Sequence, residues 1–168
     1  MKALSFFFVL LASTSCLAYS DEFLRGDLGS LLTDDTVITL QRSSCYGTCP
    51  AYEVIVFGDG TLVFNGYRDV KTIGPTKSRI DKSQLLNLLS AFRDFGYYNV
   101  EAHLNEKGKD CPEYWTDNPT ASTSIRVSGH YKELTHYYGC QGAKIAEKAT
   151  ALESKIDEIL GTTKWIGK

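Results

Sequence analysis

Apolar and polar positions alternate from Thr36 to Arg42 (TVITLQR), the period of a strand with one buried face. Ala51 to Phe57 (AYEVIVF) reads as a second strand, apolar on both faces in its latter half. Gly58-Asp59-Gly60 turns it into Thr61–Asn65 (TLVFN) as a hairpin. Gly66 marks a bulge or bend, Tyr67–Ile73 (YRDVKTI) is predicted as a fourth and more exposed strand, and Gly74-Pro75 ends it. The period then changes. Asp81 caps a predicted helix in which Leu85, Leu88, Leu89, Phe92 and Phe95 recur at three- and four-residue spacing, and Gly96 stops it.

Tyr97 to Pro119 follows neither period and carries Gly108, Cys111, Pro112 and Trp115. A structureless stretch of this length inside a compact domain is often functional or tied down. Alternation resumes at Thr120–Ser128, with Ala121, Thr123, Ile125 and Val127 on one face and Ser122, Ser124, Arg126 and Ser128 on the other. Gly129-His130 is the predicted turn into Tyr131–Tyr138 (YKELTHYY). The last helix is predicted from about Ala143 to Leu160. Ile145, Ala149, Leu152, Ile156 and Ile159 form its apolar stripe, and Lys and Glu its other face. Gly161 ends it, and Trp165 and Ile166 are expected to fold back onto the sheet.

Strands, helix, strands, helix, with hairpin connections, predict an α+β fold. It is a single two-layer domain over residues 36–168, with a mainly antiparallel sheet of about five or six strands and two amphipathic helices on one face. Residues 21–35 are a polar lead-in with at most one short helical turn.

The start of the chain has the pattern of a secretory signal. Lys2 is the charged region, Ala3–Ala12 (ALSFFFVLLA) is the apolar region, and small residues follow, with cleavage expected after Ala18 or Ser20. That apolar run is too short to span a bilayer. A lipoprotein signal carries Leu three residues before its cysteine, whereas Ser13 stands three before Cys16, so a soluble secreted or periplasmic product is expected. A retained anchor and lipidation at Cys16 are the alternatives.

Composition agrees with a folded domain: 43% of residues are hydrophobic and 12% aromatic. The formal charge of -2 leaves no electrostatic footprint for nucleic acid and no polybasic membrane patch.

Removal of residues 1–20 leaves Cys45, Cys49, Cys111 and Cys140. An even set in an exported small domain reads first as disulfides. Four cysteines allow three pairings, and counting does not choose. The short Cys45-Tyr46-Gly47-Thr48-Cys49-Pro50 stretch between two strands favours a Cys45–Cys49 ring, with Gly47 easing the turn and Pro50 returning the chain to an extended course. Cys111–Cys140 would then tether the irregular stretch to the end of the last strand. Two other chemistries use the same residues. Cys45 and Cys49 could be a thiol–disulfide active pair, although three residues separate them and a strand follows instead of a helix. Cys45, Cys49, His136 and Cys140 supply three thiolates and an imidazole, the ligand set of a structural zinc site.

CYGTCPAYEVIVFGDGTLVFNG, the helix after it, HYYGCQGA and LESKIDEILGTTKWIG together resemble the family called domain of unknown function 6438, over roughly Thr36 to the C-terminus. The resemblance implies a small exported domain and brings no catalytic residue. No Gly-x-Ser-x-Gly elbow, His-Glu-x-x-His or phosphate-cradling loop occurs in the chain. Asp110, Glu113 and Asp117 lie beside Tyr114 and Trp115, a combination suited to sugar recognition or to a solvated acidic surface, and this is the candidate binding loop. Tyr97, Tyr98, Tyr131, Tyr137 and Tyr138 are a second candidate recognition set. Alternation puts Tyr137 and Tyr138 on opposite faces. The expected function is a non-enzymatic binding or structural module for a protein or small ligand, with no cofactor and no bound metal unless the zinc alternative holds.

Overall fold

The computed structural model describes Tyr19 and residues 23–100, 104–108 and 110–167. The expected signal segment, residues 1–20, lies outside the described residues apart from Tyr19, and Cys16 lies outside them altogether. Among the described residues no helix is long and apolar enough to cross a membrane.

The fold is α+β. Six antiparallel strands form the main sheet: β1 (Val37–Arg42), β2 (Ala51–Phe57), β3 (Thr61–Arg68), β4 (Gly74–Arg79), β6 (Thr120–Val127) and β7 (His130–Tyr137). They lie side by side in the order β4-β3-β2-β1-β6-β7. β5 (Glu113–Tyr114) and β8 (Cys140–Gln141) make a separate two-stranded pair. Helix α1 (Leu28–Leu31) precedes the sheet, α2 (Lys82–Phe95) and α3 (Lys144–Leu160) cover it, and α4 (Thr163–Ile166) closes the chain.

Alternation decides the layers. Ile38, Leu40, Val54, Val56, Leu62, Phe64, Ala121, Ile125 and Val127 are buried on one face, and they share a core with Leu85, Leu88, Leu89 and Phe92 of α2 and Ala149, Leu152 and Ile156 of α3. The opposite face carries cross-strand hydroxyl pairs, Thr39 with Ser124 at 2.7 Å and Ser122 with Thr135 at 3.1 Å. Helix α2 starts with a capping box. Asp81 accepts the Gln84 N–H at 2.8 Å, and Gln84 accepts the Asp81 N–H at 3.1 Å. The Gln84 amide also donates to Ile159 O at 2.8 Å, tying the start of α2 to the end of α3.

Three boundaries differ from the sequence expectation. The fourth strand is Gly74–Arg79, not Tyr67–Ile73, because β3 runs on to Arg68 and the connection occupies the intervening residues. The register moves from Tyr52↔Gly66 to Ala51↔Arg68, so the bulge falls at Tyr67. The β6–β7 turn is Ser128-Gly129, both at positive φ (50° and 78°), the geometry of a tight primed turn, and His130 already pairs with Val127. At the two chain ends, the lead-in buries Phe23 in the core, and Trp165 stacks on Phe64 at 5.1 Å as expected. The backbone of Trp165 and Ile166 accepts the Thr72 and Lys71 N–H groups at 3.0 and 3.1 Å, which fastens the C-terminal strap to the β3–β4 connection.

Candidate functional site

The antiparallel register brings the end of β1, the start of β2, the end of β3, the start of β6 and the end of β7 to one edge of the domain. Two loops rise there. The first is the Ser43–Pro50 turn, closed by a Cys45–Cys49 disulfide. Cys45 Sγ accepts the Gly47 N–H at 3.3 Å, and Arg68 donates to Gly47 O at 3.1 Å. The ring leaves Tyr46 93% exposed. The second is the stretch before β6. Ser43 N–H donates to Thr120 O, and the Thr120 N–H donates to Ser43 Oγ, both at 2.8 Å, so the loops are joined at their bases.

The second loop is held from several sides. The Trp115 N–H donates to Gly139 O at 2.8 Å, and the Tyr137 hydroxyl donates to Trp115 O at 2.7 Å. Asn118 N–H reaches the same hydroxyl at 3.1 Å, and the Asn118 amide closes on Trp115 O and Thr116 O. Tyr114 stacks on Tyr137 with ring centroids 4.8 Å apart. The Trp115 side chain is nevertheless 60% exposed, and Tyr67, at the bulge of β3, is 47% exposed. Of the expected loop carboxylates, Glu113 and Asp117 face solvent while Asp110 is half-buried. The tyrosine set separates. Tyr131 is exposed, whereas Tyr97 is a core residue whose hydroxyl donates to Thr123 O at 2.6 Å, so it belongs to no recognition surface.

Beneath this edge the last row of the helix-covered face includes three polar side chains, Tyr52, Arg42 and His136. Gly66, Tyr52, Arg42, Ala121 and His136 lie across five strands in register. Two carboxylates one turn apart on α3, Glu153 and Asp157, roof the row. Glu153 is buried on the core side, contrary to the expectation that the Glu residues of this helix face outward, and the buried stripe runs through Ala146, Ala149, Leu152, Glu153, Ile156 and Leu160. Its oxygens accept from His136 Nδ1 at 3.0 Å and from the Tyr138 hydroxyl, and Arg42 Nη1 stands 3.8 Å away. Asp157 accepts from Arg42 Nη2 at 2.9 Å, from the Tyr52 hydroxyl at 2.7 Å and from the Thr162 hydroxyl at 2.7 Å. Arg42 also donates to the Tyr138 and Tyr52 hydroxyls.

Electrostatics hold Arg42 charged and Tyr52 and Tyr138 neutral. Burial opposes the charge of Arg42, but the oxygens around it, those of Tyr52, Asp157 and Tyr138, outweigh burial and hold its pKa above the ordinary value. Burial, with Asp157 beside it, pushes Tyr52 up, and burial, with Glu153, does the same to Tyr138, so both stay phenols. No buried side-chain N or O among the described residues lacks a partner. Arg42, Tyr52, His136, Tyr138, Glu153 and Asp157 thus form one hydrogen-bonded network. It is a floor for the loops above it.

The zinc alternative is corrected by the geometry. Cys45 and Cys49 are bonded to each other, His136 Nδ1 is engaged by Glu153, and the Cys140 sulfur lies against Cys111. No group of three or more His, Cys, Asp or Glu among the described residues is placed to hold a metal. The expected Cys111–Cys140 bond is absent from this structure, in which both residues are buried thiols.

The sequence model of the domain of unknown function DUF6438 matches residues 36–160, the span from the first strand to the end of α3. The chain belongs to this family. The matched span of this DUF6438 domain contains both loops and the polar floor apart from Thr162, whereas the Trp165 strap lies beyond it. No curated protein shows significant similarity to the chain. Sequence reading missed Arg42, Tyr52, Glu153 and Asp157 because their meeting depends on strand register. Tyr46 and Tyr67 were legible only as residues beside a turn and a bulge.

Proposed function

We propose that this DUF6438 domain is an exported, non-enzymatic binding module that recognises its ligand with the loop edge of the sheet. One observation carries the reading: Trp115 is largely exposed on a backbone tied by Gly139, Tyr137 and Asn118. A large aromatic side chain on an already ordered loop loses little conformational freedom on binding, which is the economy seen at recognition hot spots. Tyr46, displayed by the neighbouring cystine ring, extends the same surface, and Glu113 and Asp117 supply polar contacts at its rim. The N-terminal pattern of the sequence supports export, and the formed Cys45–Cys49 bond suits an oxidising compartment.

The test is a glycan-array and protein pull-down screen with the wild type, followed by titration of the retained ligand against Trp115→Ala and Tyr46→Ala. Each substitution is expected to cost about 2 kcal/mol of binding, roughly thirtyfold in Kd, without lowering the midpoint of unfolding. Unchanged affinity in both variants would refute the site. A second reading, thiol–disulfide exchange at Cys45–Cys49, is favoured by the exposure of the ring residues Tyr46, Gly47 and Thr48. Insulin reduction that is lost in Cys45→Ser supports it, and equal rates for the two proteins end it.

A further inference from the structure

Cys111 and Cys140 are thiols lying side by side in the core. Cys111 is wholly buried and Cys140 nearly so. Cys111 S–H donates to Glu113 O at 3.4 Å, and Cys140 S–H crosses to Asp110 O at 3.5 Å, so both sulfurs sit against the 110–113 segment. The backbones are held in place as well. Tyr114 pairs with Cys140 and Glu113 with Gln141, and Gly108 and Cys111 exchange two backbone hydrogen bonds of 3.1 Å. Burial, and then Cys111 beside it, push the Cys140 thiol up to about 12. Such a thiol holds almost no thiolate at neutral pH, which suits neither a nucleophile nor a metal ligand.

We propose that Cys111 and Cys140 close a second, buried disulfide when the chain folds in an oxidising compartment, locking the Trp115 loop to the junction of β7 and α3. The thiol pair in this structure is the reduced form of that lock. In closing it, the two thiols lose two protons and two electrons as the S–S bond forms. The electrons pass to an oxidised dithiol protein or to glutathione disulfide, which is reduced to two thiols. Exchange needs an attacking thiolate with access to the donor, and in the folded chain both sulfurs are buried. Closure therefore precedes burial of the pair or waits for the loop to open. The Cys45–Cys49 ring, on the surface, has no such barrier. The lock concerns the order of the loop and does not depend on the binding role proposed for it.

The experiment uses the full chain in a glutathione redox buffer, alkylated and peptide-mapped without reductant. In one arm the reduced, unfolded chain refolds in that buffer. In the other the folded, reduced protein is transferred into it. Refolding is expected to yield linked Cys45–Cys49 and Cys111–Cys140 peptides. In the folded protein the buried bond is expected to form at least roughly tenfold more slowly than the surface one. The linked protein is also expected to resist limited proteolysis in the 110–118 segment roughly tenfold longer than the reduced one, with the same helix content. Alkylated Cys111 and Cys140 after refolding, their pairing with Cys16, Cys45 or Cys49, or equal loop cleavage in both forms would overturn the proposal.

Discussion

Glu153 is the residue on which the inner layer depends. It is 2% exposed, and it meets His136 from β7, Tyr138 just after β7 and Arg42 from the end of β1. Nothing in its local sequence announces this. The helical period selects Ile145, Ala149, Leu152, Ile156 and Ile159, yet Ile145 and Ile159 are only half-buried while Ala146, Glu153 and Leu160 are buried. The stripe is rotated because three polar side chains at the strand ends need a carboxylate opposite them, a requirement set by residues far apart in sequence. Removing one member of a buried charged set leaves its partners desolvated and unpaired. Glu153→Ala is accordingly expected to destabilise the domain by about 3–5 kcal/mol. Glu153→Gln, which keeps an acceptor and the shape, should cost clearly less. Denaturant unfolding of both variants checks the ranking, and equal losses would mean that packing, not pairing, is what the position supplies.

At the scale of elements, the regular strands and both long helices were legible, since each combines a clear period with a terminating Gly or a capping Asp. β4 was not. GPTKSR is a polar edge segment opening on Gly-Pro, and it is a strand only because β3 offers it a ladder from Gly66 to Thr61. β5 and β8 were illegible for a similar reason, as two-residue strands formed by non-local pairing. Their junction has almost no spare space. A Cβ at Gly139 would stand 2.0 Å from Trp115 O and 2.3 Å from the Tyr137 ring. Gly139→Ala must therefore push the Trp115 strand away and break the 2.8 Å hydrogen bond from Trp115 N to Gly139 O. The expected result is faster amide exchange and proteolysis between residues 110 and 118, with protection in α2 and α3 preserved. If the loss spreads equally to the helices, the β5–β8 junction is part of the global cooperative unit and not a separately opening loop.

For the molecule as a whole, the two-layer architecture follows from one fact visible in the sequence: most strands keep their apolar residues chiefly to one face, and two helices carry matching stripes. What the sequence does not display is how many phenols the core and its edges hold. Tyr52, Tyr97, Tyr98 and Tyr138 are all shifted above the ordinary tyrosine value, in each case chiefly by burial. Below about pH 10 these groups are neutral in both the folded and the unfolded chain, and they add no pH dependence. Above it the unfolded chain releases their protons while the folded chain retains them. The unfolded state then binds fewer protons, and stability falls as pH rises. Tyr52 and Tyr97, each 1% exposed, should each contribute a slope of about 1.4 kcal/mol per pH unit in that range. The domain is therefore expected to unfold cooperatively in alkali, with phenolate absorbance and loss of the helix signal rising together at a midpoint that moves upward when a stabilising osmolyte is added. Release of every phenolate in one broad step near pH 10, with the helix signal intact, would show that these rings are reached by solvent without unfolding, and that the polar floor is open to water where the structure has it closed.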